Sequence, residues 1–91
     1  MSALYQLKII TPHGTVYEGE VIHAFLPAED GFVGVLANHA PYITSIPGGR
    51  LGIREKDGRE KHFQMGAGFF ETSRNRAVFL TQTCETKETA T

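Results

Sequence analysis

Ninety-one residues are enough for one domain and too few for a second, so a second, catalytic domain is not expected. With 41% hydrophobic and 21% charged residues the chain has the balance of an ordinary globular domain, and disorder is expected only near its end. Nine basic against ten acidic residues give a net charge of -1 with no basic block, which argues against nucleic acid as a partner.

The elements follow in chain order as short apolar runs broken by Gly, Pro, Asn and Asp, and no stretch before residue 84 keeps a helical period for three turns. Residues 4–10 read as a first strand with Tyr5, Leu7 and Ile9 on one face, and "TPHG" as the turn after it. A short strand over 15–18 and another over 21–26 follow, separated at Gly19. "PAEDG" is a loop, because Pro fixes φ and Gly allows it to be positive. Strands over 32–36 and 42–46 flank a turn at 38–41 that holds His39. A hairpin joins 51–55 to 61–65 across "KDGR", where Asp-Gly suits a type I′ turn, and a second joins 68–72 to 77–83 across "SRNR". Breaks every 8 to 12 residues point to an all-β fold, a small flattened β-sandwich or barrel of about ten short, mainly antiparallel strands. Residues 1–84 form that domain, and 85–91, polar and without apolar spacing, read as a frayed tail.

Two strands are apolar on both sides: Val21 and Phe25 alternate with Ile22, Ala24 and Leu26, and Val78 and Leu80 alternate with Ala77 and Phe79. A sandwich strand has one face in the core and one in water. The surplus predicts an apolar patch on the outside, the usual mark of a protein interface.

Residues suited to chemistry are few. Cys84, the single cysteine, allows no intramolecular disulfide, fits an intracellular chain and reads as structural. Glu29 and Asp30 adjoin in a Pro/Gly loop, where acids are ordinarily solvated. His13, His23, His39 and His62 lack the spacing of a ligand pair, although a site built across strands from His39 with His23 or His62 stays open. His39 itself reads either as a turn residue bonded to backbone or as an exposed contact to a partner. No phosphate-cradling loop, basic leader or run of the ~20 apolar residues of a membrane helix is present.

The run "FLPAEDGFVGVLANHAPYITSIPGG", residues 25–49, resembles the N-terminal β-sandwich of the epsilon subunits of F-type ATP synthases, whose hallmark is (P/G)GEDGxxGVLPxHAPLLTxLxPG. The likeness extends back through "YQLKIITPHGTVYEGEV" and forward through "GIREKDGREKHFQMGAGFFETSRNRAVFLTQ", covering residues 4–83. The resemblance implies a non-catalytic subunit of the rotor, or central stalk, of a proton- or sodium-translocating ATP synthase. Such a subunit binds the gamma shaft and the c-ring without a cofactor and without entering the bilayer. It would lie on the cytoplasmic face of a bacterial inner membrane or the stromal face of a thylakoid. Matched position by position, Thr11, His39 and Thr44 fall toward gamma, and Glu29, Asp30, Gly31 and Phe32 toward the c-ring. Ala37 replaces a common Pro, Tyr42-Ile43 replaces a pair of leucines, and Phe32 stands where many relatives carry an acid, which makes the c-ring contact more apolar. The helical hairpin that follows the sandwich in most relatives is not matched, so no ATP binding is expected of this polypeptide. A stand-alone β-sandwich adaptor and a histidine metal-binding barrel are the competing readings.

Overall fold

The computed structural model describes residues 4–28, 31–36, 42–73 and 75–87, with the side chains of 26–28, 31–36 and 42 outside the description. Nine strands are present among them and no helix: β1 (Tyr5–Thr11), β2 (Gly14–Ala28), β3 (Gly31–Leu36), β4 (Tyr42–Ile46), β5 (Gly49–Glu55), β6 (Glu60–Met65), β7 (Gly68–Ser73), β8 (Arg76–Thr81) and β9 (Cys84–Lys87). They form one hydrogen-bonded sheet in the order β4-β7-β8-β1-β2-β5-β6-β9, with β3 on β2. Among the described strands only β1 and β8 run parallel. The sheet folds over so that Leu7, Ile9, Phe70 and Phe79 of one half share a buried core with Leu51, Ile53, Phe63 and Met65 of the other. The contact of Tyr17 on β2 with Phe63 on β6, ring centroids 5.6 Å apart, spans the two halves.

β2 makes the fold-over possible. It is a single strand of 15 residues, not two short ones divided at Gly19, which pairs with Leu7 in a ladder that runs regularly from Tyr5↔Val21 to Ile9↔Tyr17. Its first half pairs with β1 up to Val21, its second half pairs with β3 from His23 onward, and β5 lies on the opposite edge. Its irregularities lie elsewhere: one opposite Ile9 and Ile10, where the pairing passes from Tyr17 to Thr15, and one against β5, a shift of register between Val21 and His23. An extra residue in a strand bends it and reverses which side chains face inward. Val21 and Ala24 are therefore both buried, although three residues apart, while Phe25 is left outside.

A second crossing joins the halves through one long bent hairpin. β7 and β8 pair from Ser73↔Arg76 to Gly68↔Thr81, and the ladder continues round a corner through Gln82 N–H to Ala67 O (3.1 Å) and Gly66 N–H to Thr83 O (2.8 Å). It resumes as β6 with β9, from Met65↔Cys84 to His62↔Lys87. Residues 85–87 are thus a paired edge strand and not tail. Their polar composition hides this, because an edge strand held by backbone bonds needs little apolar pattern of its own. At the corner a Cβ on Gly68 would run into the Leu80 carbonyl oxygen and lie 2.8 Å from Thr81 Cα, so only glycine lets the chains approach this closely.

The β5–β6 hairpin forms where expected but by a different turn. Gly58 N–H bonds to Glu55 O (2.9 Å) and Glu55 N–H to Arg59 O (2.8 Å). Positive φ falls on Gly58 (91°) and not on Asp57, whose carboxylate instead accepts from Arg59 N–H at 2.9 Å. This is a three-residue loop, a type I turn closed by a glycine bulge, in place of type I′. In the β7–β8 loop Asn75 takes the left-handed conformation (φ 57°), which its short amide side chain tolerates.

The two glycines predict different penalties. A Cβ on Gly58 meets nothing within 4 Å. Gly58→Ala is expected to cost about 1–2 kcal/mol through φ alone, and Gly68→Ala about 3 kcal/mol or more through backbone overlap, both read from urea unfolding. Acid sensitivity follows from the outer face of β2, β5 and β6. Burial and then the Arg54 charge lower the pKa of His23 from its ordinary 6.5, so the unfolded chain takes up the proton first. Stability should fall as pH drops through 6.5 and level off below the folded value, a slope that His23→Gln removes. Glu60, held below its ordinary 4.5 by its hydrogen bond to Arg54, adds a separate loss as pH falls below 4.5.

Candidate partner interface

The half-sheet β4-β7-β8-β1 buries one face and leaves the other uncovered. Alternation along β8 sends Ala77 and Phe79 into the core and Val78 and Leu80 outward. On β7 the adjacent pair Phe69-Phe70 must point to opposite sides, and Phe70 takes the core position, 4.5 Å from Phe79. Cross-strand register then places Ser45, Phe69, Leu80 and Ile10 in one outward row, and Ile43, Glu71, Val78 and Lys8 in the next. Ile43, Phe69 and Leu80 are 67%, 59% and 48% exposed. Covering each half-exposed side chain is worth roughly 1 kcal/mol, and their grouping on one face is what a docking surface requires.

The patch anticipated from the two-sided apolar character of β8 is present. That of β2 has another origin, since the register shift buries both Val21 and Ala24. Phe69 and Ile43 were not foreseen as surface residues, although consecutive aromatics on a strand necessarily place one outside.

The residues matched toward gamma attach to this half but differ in what they present. Thr11 is buried; its Oγ1 accepts from His13 N–H (3.1 Å) and donates to Gly14 O (3.4 Å), closing the turn between β1 and β2. Thr44 pairs with Phe70 on the core side of edge strand β4, half-buried, and donates to Ser45 O at 3.2 Å. Its neighbour Ile43 is the one that faces outward. His39 lies outside the described residues. Of the group matched toward the c-ring, Gly31 and Phe32 open β3, pairing with Ala28 and Pro27. Glu29 and Asp30 lie outside the described residues, between β2 and β3.

Two of the remaining candidates for chemistry are held by their surroundings. Cys84 is half-buried, and burial, then the Glu85 charge, push its thiol pKa up, away from the reactive thiolate. Tyr17 O–H donates to Glu55 Oε2 at 2.6 Å beside Lys61, and burial, then this bond, raise its phenol further. Among the described residues no three of His, Cys, Asp and Glu gather as metal ligands would. His13 and His62 stand apart from His23 in role: the first is exposed in a turn, the second packs over Gly52.

Comparison with known proteins matches residues 4–87 to the model of the ATP synthase delta/epsilon chain β-sandwich domain. The ATP synthase epsilon chain of Chlorobium limicola is 35% identical over 78 residues, 86% of this chain and 89% of that one. That of Dichelobacter nodosus is 32% identical over 88% of this chain but only 56% of its own length. This chain therefore spans nearly all of one relative and just over half of the other. A chain in the Euglena gracilis mitochondrial ATP synthase structure shares the fold, with TM-score 0.87 at 17% identity over 94% of this chain and 55% of that one. By sequence match across almost its whole described length, the chain belongs to the ATP synthase delta/epsilon chain family, whose β-sandwich domain it carries.

Proposed function

We infer that this chain is an epsilon-type, non-catalytic subunit of the central stalk of a proton- or sodium-translocating ATP synthase, where it joins the gamma shaft to the c-ring during rotary ATP synthesis. The observation that carries the reading is the outer face of β4-β7-β8-β1. Ile43, Phe69 and Leu80 form an apolar surface of the kind a permanent subunit contact covers. Gamma seats on this half, with Ile43 and the β1–β2 turn held by Thr11 at its margin, and with Thr44 and His39 on the edge strand and the loop leading to it. The c-ring meets the β2–β3 end through Glu29, Asp30, Gly31 and Phe32. These groups belong to different strand pairs, so one rigid domain touches two partners at once.

The subunit is peripheral to the membrane, on the cytoplasmic face of a bacterial inner membrane or the stromal face of a thylakoid. No described helix is long and apolar enough to cross a bilayer. Its contribution is mechanical: ring and shaft turn as one body, and bond chemistry belongs to other subunits.

Co-purification of the full chain with recombinant gamma tests this. Wild type should form a one-to-one complex, and Phe69→Glu or Leu80→Glu should weaken it by about tenfold or more, because a buried carboxylate without a partner is costly. Both side chains are exposed in the free domain, so urea midpoints should stay close to wild type. No association of wild type with gamma at any ratio would remove the assignment.

A further inference from the structure

The outer face of β4-β7-β8-β1 is complementary to itself. With the first half of β2 bordering β1, β8 is the middle strand, flanked by β7 and β1, while β4 and β2 form the two margins. From β7 through β8 to β1, one outward row reads Phe69, Leu80, Ile10, and the next reads Glu71, Val78, Lys8. Each row has an aliphatic side chain on β8. In the second row an acid and a base stand one strand away on opposite sides of it, at equal distances of about 4.8 Å.

A two-fold axis laid along β8, midway between two such faces, brings β7 of one copy over β1 of the other. Leu80 and Val78 then meet their own counterparts, Phe69 meets Ile10, and Glu71 meets Lys8 at two symmetry-related places. An isologous contact of this kind uses every favourable pair twice. Aligned sheets pack about 10 Å apart with their strands within about 30°, which suits an axis parallel to the strands. Among the described residues neither Lys8 nor Glu71 has an ion pair within its own chain, although Glu18 is the cross-strand neighbour of Lys8. Both charges are therefore available to a second molecule.

The same symmetry sets the limits of the contact. Arg76, the first residue of β8, meets its own counterpart, but at the exposed end of the seam, where water separates the charges. At the margins Ile43 falls opposite Glu18, a pairing without gain. Strands about 4.8 Å apart and rows about 7 Å apart give the face roughly 500 Å² in projection, below the ~800 Å² per partner of a standard interface, so association is weak and concentration-dependent.

We propose that in the absence of gamma this face binds the same face of a second copy of the chain, about a two-fold axis along β8, in a weak dimer that gamma dissolves by covering the same side chains. A partner for this surface must offer base, apolar row and acid in reverse order, and the chain itself does so.

Sedimentation velocity of the full chain over a concentration series tests this. Wild type should pass from monomer to dimer. Lys8→Glu or Glu71→Lys alone should each weaken the dimer by about tenfold or more, since each sets two pairs of like charges face to face. A mixture of the two variants should restore it, because the copy richer in acid and the copy richer in base match at both places, and this rescue also shows that both variants are folded. A wild-type chain that stays monomeric throughout, association that neither reversal weakens, or a loss that mixing does not restore would overturn the proposal. Added gamma should convert the dimer to the one-to-one complex. The dimer rests on the geometry of the face and takes from the gamma reading only this competition. Gamma binding by a chain that stays monomeric therefore removes the dimer alone, and a dimer that the charge reversals break but that gamma does not bind removes the gamma reading alone.

Discussion

The displaced register between Val21 and His23 decides which side of β2 faces the core in each half of the molecule. Before it, Tyr17 and Val21 lie against the core; after it, Ala24 does, and His23 and Phe25 are turned out. If β2 kept a strict two-residue period, Ala24 would point away from the core and His23 would point into it. The cost of burying an imidazole without partners would then fall on the second layer. The outer surface of the β2-β5-β6 half follows from this extra residue, since it turns His23 and Phe25 outward while burying Ala24.

Much of the fold was legible because strands signal themselves through period and punctuation. Leu7 and Ile9, or Ala77 and Phe79, are spaced as a half-buried strand requires, and Gly58 and Asn75 mark the hairpins correctly. What escaped has physical reasons. A bulge leaves no composition of its own, so Gly19 drew attention that belonged to the residue between Val21 and His23. β9 is polar because its ladder to β6 is a backbone matter. The turn at Asp57-Gly58 differs from expectation because Asp57 uses its carboxylate to cap Arg59 N–H, which a left-handed Asp57 would not need to do.

The partner surface was legible as a surplus of apolar residues and less so as particular side chains. Val78 and Leu80 could be read outward from alternation, whereas Thr11 and Thr44, matched by resemblance, turn out to hold backbone. A residue matched by family position can lie at an interface through the loop it shapes and not through its own hydroxyl. The family match and the geometry therefore complement each other: one locates the region, the other identifies which atoms are available in it. The two outer faces also differ in character. One is apolar with scattered charge, and the other sets Phe25 and His62 beside the ion pair of Arg54 with Glu60.

The parallel pairing of β1 with β8 has a consequence for biosynthesis. On one edge residues 6–10 pair with the neighbouring β2, but on the other they find their partners only at 76–80, far along the chain. A nascent polypeptide leaving the ribosome therefore carries its first strand with one edge unoccupied until residues 76–80 have emerged. Leu7 and Ile9, which the finished molecule buries completely, must wait for Phe79 to arrive. Completion of the domain is thus governed by closure between segments far apart in sequence, slower than a fold of the same size built from neighbouring segments.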